Sequence, residues 1–386
     1  MRVLQVHNAY RQAGGEDTVL ATERSLLEEA GHQVETHLEH NPDDALGALA
    51  GLAGSPWNLR AVGRVRETAE AFRPDVAHIH NTWFRLSPGV LHSLHGSGIP
   101  TVITMHNYRL ACVNAQLYRD GGPCEDCVGR IPWRGVVRRC YRDSLLQSAA
   151  VAGTISFHRG IGTWRSEADV VVALSHFASD RLVRSGVPRH RIVVKENVVA
   201  DPGPRPTPPS SSGYVLFVGR ITEEKGVRDL MSAWQASRRS GLELRMVGSG
   251  PLLDDISTSA PGGVEFLGQV SSDDVRELLL SARALVFPSR WYEGQAMILL
   301  EALSSGTPIV FPGLGAIPET VGDAGWEFEA AAPEALAKTL LRLADAGEVD
   351  HIGEIARARY EGRFAPDVGT RRLEEIYELA MSRHPR

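Results

Sequence analysis

Two glutamates stand eight positions apart in Ser289-Arg-Trp-Tyr-Glu293-Gly294-Gln295-Ala296-Met-Ile-Leu-Leu-Glu301-Ala-Leu-Ser-Ser-Gly306-Thr-Pro308, directly after a short apolar run. The run reads as a strand and the segment as the opening of a helix, with Glu293 at its entrance and Glu301 two turns inside. At 1.5 Å per residue, the two carboxylates would lie ~12 Å apart along the axis. That is the span from a sugar ring to the ribose of a nucleotide diphospho-sugar. A diphosphate between them would sit near the helix N-terminus, whose N–H groups and dipole favour an anion. The same pattern also reads as an acidic capping residue plus one buried, paired Glu. A second constellation, Val218-Gly-Arg220-Ile-Thr-Glu-Glu-Lys225-Gly226, sets two cations five apart on either side of a strand-to-helix turn. Paired cations there would neutralise the charge growing on a departing diphosphate without a metal. The plainer reading is a solvated loop bridged to Glu223 and Glu224.

All four cysteines of the chain fall in one stretch, Cys112-x₁₁-Cys124-x₂-Cys127-x₁₂-Cys140. A C-x-x-C pair turns tightly enough to give two ligands to a tetrahedral Zn²⁺, and the outer pair completes a closed, structural shell. The surrounding arginines are expected to favour thiolate. With Gly121, Gly122 and Pro123 and few core-forming residues, the loop would take its order from the metal. Two disulfides, which a cytoplasmic address disfavours, and four free thiols are the alternatives. The same insert, about residues 107–142, carries Arg119, Arg130, Arg134, Arg138, Arg139 and Arg142. Apolar Ile131, Trp133, Val136, Val137, Leu145 and Leu146 are interleaved with these arginines or follow them. It reads either as a basic face for a phosphorylated or lipid-linked partner at a membrane surface, or as a solvated loop with ordinary arginines. Twelve of the 14 histidines lie in the first 200 residues. His7, His78 and His80 end strands, where they either line a cleft or pack, and His106 stands at the carboxyl end of another strand.

These groups need a scaffold, and the apolar pattern supplies one. Short apolar runs alternate with helical segments, the mark of parallel sheets covered on both faces. Strands are expected near Val3–His7, Val34–Leu38, Val76–His80, Thr101–Met105, Val170–Leu174 and Ile192–Lys195. A helix over Asp17–Ala30 should end at Gly31. Residues 201–212 hold five prolines in twelve and read as a semi-rigid linker. Beyond it strands resume at Val215–Val218, Leu242–Val247, Val264–Leu267, Ala284–Phe287, Ile309–Phe311 and Trp326–Phe328. The expected architecture is α/β with two doubly wound Rossmann-like domains, 1–200 and 201–386, and ligands at the carboxyl ends of their strands. The last helix is expected to return to the N-terminal domain.

Composition narrows the function. The net charge of −6 divides into +2 for residues 1–200 and −8 for 201–386, without the basic excess of a nucleic-acid binder. No run approaches the ~20 apolar residues of a membrane span, and the start lacks a signal-peptide core, so a cytoplasmic address is expected. Val247-Gly248-Ser-Gly-Pro251 departs from the dinucleotide fingerprint, which argues against a nicotinamide enzyme.

The G-R-x₄-K-G turn and the E-x₇-E motif, both with unbroken spacing, resemble those of family-4 retaining glycosyltransferases of the GT-B fold. Val247-Gly-Ser-Gly-Pro251 and Phe266-Leu-Gly268 resemble that family's nucleotide-side loops, and Gly14-Gly15-Glu16, Arg73–His80 and Thr104-Met-His106-Asn107 extend the likeness into the first half. The resemblance implies that Arg220 and Lys225 hold the donor diphosphate, Glu293 the sugar hydroxyls and Glu301 the ribose. Gly248, Gly268, Gly294, Gln295 and Ala296 would line the donor site. Gly14 and Gly15 would let backbone N–H groups approach the phosphates, and His106 would sit beside the reacting sugar. One departure is Gln295-Ala296, where many members have an aromatic residue and glycine, so the sugar pocket is altered. The expected activity is retaining transfer from a nucleoside diphosphate sugar to a hydroxyl acceptor, with no catalytic metal and no nucleic-acid partner. A sugar-nucleotide epimerase and a catalytically silent sugar-nucleotide-binding scaffold are the alternatives.

Overall fold

The computed structural model describes residues 1–9, 14–41, 54–237 and 242–385. They form two compact units. Unit 1 comprises Met1–Leu117, Cys124–Asn197 and Asp367–Arg386, and unit 2 comprises Tyr118–Pro123 and Val198–Pro366. The proline-rich segment after residue 200 therefore groups with unit 2, whereas the C-terminal helix groups with unit 1.

Unit 1 contains β1 (Arg2–Ala9), α1 (Gly15–Glu29), β2 (Gln33–His40), α2 (Leu59–Phe72), β3 (Val76–Asn81), α3 (Gly89–Gly96) and β4 (Thr101–Met105). The hairpin of β5 (Tyr118–Arg119) and β6 (Gly122–Pro123), which groups with unit 2, interrupts the series. Unit 1 continues through α4 (Trp133–Val137), α5 (Leu145–Gly160), α6 (Thr163–Ser166), β7 (Val170–Ala173), α7 (His176–Arg184) and β8 (Ile192–Val194). Its six strands are parallel in the order β2-β1-β3-β4-β7-β8. The entry to α1 shows how the chain enforces this. Gly14 caps the helix, its N–H donates to Asp17 Oδ2 at 2.8 Å, and Glu16 and Asp17 place negative charge on the first turn. Gly31, at φ +84°, turns the chain out at the other end.

Unit 2 contains β9 (Tyr214–Val218), α8 (Val227–Ala236), β10 (Glu243–Val247), α9 (Leu253–Thr258), β11 (Val264–Gly268), α10 (Ser272–Ser281) and β12 (Ala284–Val286). Then come α11 (Met297–Ser304), β13 (Ile309–Pro312), α12 (Ile317–Val321), β14 (Gly325–Phe328), α13 (Pro333–Leu341) and α14 (Ala346–Arg363). The strand order is β11-β10-β9-β12-β13-β14, all parallel. Successive residues of a strand feed opposite faces. Val215 and Phe217 enter one core with Leu230, Trp234 and Trp326, while Leu216 enters another with Leu299, Leu303 and Tyr360.

The last helix, α15 (Pro366–Arg383), closes unit 1. Its Leu373, Ile376, Tyr377 and Ala380 are buried against Val3, Val76, Val102 and Val170 of the sheet. Among the described residues no helix is long and apolar enough to cross a membrane.

Candidate donor and catalytic site

Each sheet reverses its winding at one place, in unit 2 between β9 and β12 and in unit 1 between β1 and β3. Crevices at the carboxyl ends of such strands are where doubly wound sheets take ligands. The two motifs of unit 2 occupy that position, following β9 and β12.

Backbone contacts fix these loops closely. Gly248 sits at φ +133°, and a Cβ on it would lie 2.0 Å from the carbonyl oxygen of Gly219. Its N–H instead donates to Gly268 O at 2.7 Å, and Gly219 N donates to Val247 O at 3.0 Å. Gly226, at φ +67°, passes so close to Pro288 that a Cβ would lie 1.9 Å from its carbonyl oxygen. Arg290 N donates to Glu224 O at 2.8 Å, and the Arg290 guanidinium pairs with Asp229 of α8. The loop carrying Lys225 is thereby locked to the loop carrying Glu293.

Lys225 Nζ donates to Glu293 Oε1 at 2.6 Å. The same oxygen accepts from Ser289 Oγ at 2.9 Å and Trp291 Nε1 at 2.5 Å. Phe287 and Trp291 each present a ring 5.4 Å from the Lys225 ammonium. Glu293 is buried, whereas Arg220 is exposed and bridged to Glu224 at 3.1 Å.

The helix of the E-x₇-E motif begins later than the spacing predicts. α11 starts at Met297, so Glu293, Gly294 and Gln295 belong to the preceding loop and Ala296 is the N-cap. The 12 Å helical separation of the two glutamates therefore does not apply. Ala296 offers no side-chain cap, which leaves the first N–H groups of α11 available to an anion. Glu301 lies in the second turn, half-buried, and burial pushes its carboxyl up against the opposing charge of Arg276.

In unit 1, His106 follows β4 and its Nε2 lies 3.2 Å from His80 Nδ1, with the rings stacked. Burial pulls the His106 imidazole down to about 4, so it is neutral. Behind it lies a buried network. Glu23 pairs with Lys195 and stands 3.6 Å from both His78 and His80, and His78 bonds Tyr377 at 2.9 Å and Thr104 at 2.7 Å. Against the cost of burial, the Lys195 ammonium, with His80 and His106, keeps the Glu23 carboxyl below its usual range, while burial pulls the His78 and His80 imidazoles well down. Glu16, at the start of α1, accepts from Asn107 Nδ2 at 2.8 Å, and burial raises its carboxyl to about 7. The Gly14 N–H is taken by Asp17, so the backbone donors that α1 offers begin at Gly15. Gly14 itself faces open space at φ −135°, without the crowding that would demand glycine.

Sequence reasoning quoted Glu16 within Gly14-Gly15-Glu16 without giving it a role, and it did not single out Glu23 or Lys195. Lys195 carried one signal, being one of only three lysines in the chain. His7, by contrast, is fully buried and bonded to Asp17 at 3.0 Å.

Metal-binding capacity is limited by charge. Glu23, His78 and His80 converge closely enough to hold an ion, as do His95, Asp169 and His384. The Lys195 ammonium already occupies the first group. No disulfide joins the four cysteines; Cys112 and Cys127 are buried, and Cys124 and Cys140 half-buried. Burial opposes the expected help from arginines, and Cys112 is raised even with Arg109 pulling it down. Burial dominates, and together with Cys112, Cys140 and Cys124 it raises the Cys127 thiol to about 11. Arg130 and Arg139 are exposed, Arg138 pairs with Asp126, and Arg142 lies over the Tyr141 ring.

Two doubly wound parallel domains with an E-x₇-E loop and a lysine–glutamate pair at the switch point of the second define the GT-B fold. Solved structures agree. Sucrose-phosphate synthase from Thermosynechococcus elongatus is similar over 99% of this chain and 100% of its own, with a TM-score of 0.72 at 17% identity. Anabaena Alr3699/HepE in complex with UDP and glucose is similar over 98% of this chain and 99% of its own, with a TM-score of 0.65 at 17% identity. Residues 2–200 match the model of Glycosyltransferase Family 4 and residues 212–346 that of Glycosyl transferases group 1. The chain belongs to glycosyltransferase family 4. Among sequence relatives, O-antigen chain mannosyltransferase B of Escherichia coli is 34% identical over 29% of this chain and 32% of its own. The putative colanic acid biosynthesis glycosyltransferase WcaL of Escherichia coli K12 is 28% identical over 54% and 56%. The matches thus span about a third to about half of these relatives' length.

Proposed function

We propose that this chain transfers a sugar, with retention of configuration, from a nucleoside diphosphate sugar to a hydroxyl acceptor. The observation that carries the reading is the buried Lys225–Glu293 pair beside the uncapped start of α11 at the switch point of unit 2. A donor diphosphate entering there meets Lys225 and Arg220, and the sugar hydroxyls take over the contacts to Glu293. As the bond to the anomeric carbon breaks, the charge on the leaving diphosphate is held by these two cations and the helix N-terminus, so the protein's own groups stabilise it. Glu301 serves the ribose, with Gly248, Gly268, Gly294, Gln295 and Ala296 along the donor. Unit 1 receives the acceptor, with neutral His106 beside the reacting sugar and Gly14 and Gly15 toward the phosphates. The acceptor attacks from the face the diphosphate leaves, and a diphosphate oxygen takes its proton. Similarity to an O-antigen chain mannosyltransferase supports this class of reaction.

The test is a panel of UDP-, GDP- and dTDP-sugars, read by slow donor hydrolysis and by thermal stabilisation. One donor should be hydrolysed and should stabilise the fold by about 2.7 kcal/mol at a hundredfold excess over its Kd. Glu301→Ala should weaken nucleoside diphosphate and donor equally, whereas Glu293→Ala should lose sugar transfer and keep nucleoside diphosphate affinity. An isomerised donor, or binding without turnover, would overturn the reading.

The proposal extends to a structural zinc at Cys112, Cys124, Cys127 and Cys140, supported by the C-x₂-C spacing and by the charge coupling of Cys127 to the other three thiols, although their sulfurs are not among the convergent groups of the described residues. It also places the chain in the cytoplasm with peripheral contact at the inner face of the membrane. Native mass spectrometry should show one zinc per chain, lost with thermal stability in Cys124→Ser or Cys127→Ser. Four freely titrating thiols, or a mass two or four hydrogens light, would reject the metal.

A further inference from the structure

On the outer face of α5, Phe157 sits edge-on to Trp57, with ring centroids 6.4 Å apart. This helix carries a single charged residue, Arg159, in its 16 positions. Arg159 is turned back to the carbonyl oxygens of Arg130 and Leu110. The inner face is built as a core helix should be, with Val151, Ala152 and Ile155 packed on Trp83 and Val113. On the outer face, Leu145, Ala149, Gly153, Phe157 and Ile161 recur every four residues, and all five are exposed. A helix with one charge and an exposed apolar stripe opposite its core face is poorly suited to water alone. Leu146 and, from the adjoining segment, Ile131, Trp133 and Val137 widen the exposed surface. Each of these four is between 58% and 73% exposed. In α4, Gly135 and Val136 turn inward while Trp133 and Val137, four apart, turn out.

Charge identifies the occupant. Residues 124–166 hold seven arginines against Glu125, Asp126 and Asp143, a balance of +4 in a chain whose total is −6. Asp126 pairs with Arg134 and Arg138, and Glu125 turns to Arg181 and Arg184. Arg130, Arg138, Arg139, Arg142 and Arg165 are exposed around the apolar stripe. A second copy of this chain would bring the same positive field against itself, which like-charge repulsion opposes. An anionic lipid surface satisfies both features, with apolar side chains in the acyl boundary and guanidinium groups among phosphates.

We propose that α4 and the outer face of α5 form a docking surface for anionic phospholipid bilayers, on which the helix lies in the plane of the interface. This deepens the acceptor side of the glycosyltransferase reading, because a lipid-linked acceptor would be met at that surface. The binding itself does not depend on that reading being correct.

The full chain is mixed with vesicles of phosphatidylcholine alone or of phosphatidylcholine with phosphatidylglycerol, and bound protein is measured by co-sedimentation at low and high salt. Binding is expected to the anionic vesicles only and to weaken with salt. A triple variant, Trp133→Ser, Leu145→Ser and Leu146→Ser, and a second, Arg138→Glu, Arg139→Glu and Arg142→Glu, should each bind at least about tenfold more weakly. Both should keep the wild-type melting temperature and any donor hydrolysis, since none of these residues lies in the donor site. Lipid binding with no donor turnover would leave this proposal standing and sink the transfer reading. Three outcomes would overturn the proposal: no binding to anionic vesicles, equal binding by the variants, or a concentration-dependent dimer dispersed by the serine variant.

Discussion

Lys225 is held in place before any ligand arrives, and this separates it from Arg220. Lys225→Ala should lower turnover ~10²-fold. It should also cost stability, about 1–3 kcal/mol, because Glu293 is left buried with only neutral donors. Arg220→Ala should lower turnover comparably, yet leave stability within about 0.5 kcal/mol, since its bridge to Glu224 is exposed. Equal melting temperatures for the two variants would contradict the buried pairing. Glu16 gives a pH test. Its carboxyl is raised to about 7, so below the usual carboxylate range it is protonated in both states and contributes nothing. As pH rises, the unfolded chain ionises freely and the folded chain does not, so stability is lost up to about pH 7. Glu16→Gln should therefore be neutral near pH 4 and stabilising by up to about 3 kcal/mol near pH 8, measured by urea midpoints. His106 and His158, both pulled to about 4, act in the opposite sense. They remove stability as pH falls from about 6.5 toward 4.

At the scale of elements, the glycines of unit 2 decide how near the loops come. Gly248→Ala sets a Cβ against the backbone of Gly219, its carbonyl oxygen 2.0 Å away, at a φ that side chains avoid. A loss of about 2–4 kcal/mol is expected by chemical denaturation, with donor affinity falling alongside. Wild-type stability would mean the strand ends separate freely. The elements themselves were legible in the sequence. The apolar runs at Val76–His80 and Val215–Val218, among others, are strands because parallel sheets bury both faces and leave no alternation to misread. The start of α11 was not legible, since its N-cap, Ala296, carries no capping side chain and Glu293 resembles a first-turn acid. Strand order was also hidden, because it depends on which runs meet across the chain. The same holds for Glu23 and Lys195, a pair 172 residues apart that no local pattern announces. The thiols of Cys112 and Cys127 show a further limit, because sequence counts nearby arginines but cannot see the burial that outweighs them.

At the scale of the whole molecule, α15 makes unit 1 depend on residues far from the rest of it. Its Leu373, Ile376 and Tyr377 cover Val3, Val76, Val102 and Val170, and the Tyr377 hydroxyl reaches His78 behind His106. A chain ending at Phe364 should lose hydrogen-exchange protection in β1, β3 and β4 while β9 and β12 keep theirs. Full protection of β1 in that truncation would show the helix to be dispensable. The arrangement also sets an order in time. Unit 2 is an insertion within unit 1, and every residue of its own core has been made by Phe364. Unit 1 begins first at the ribosome but lacks its covering helix until about residue 380 emerges. At ~5–20 residues per second, that leaves its sheet open on one face for roughly 10–40 s after residue 197 is made. During synthesis the second unit therefore finishes before the first, and the buried Glu23–Lys195–His78 network stays reachable by water until α15 arrives.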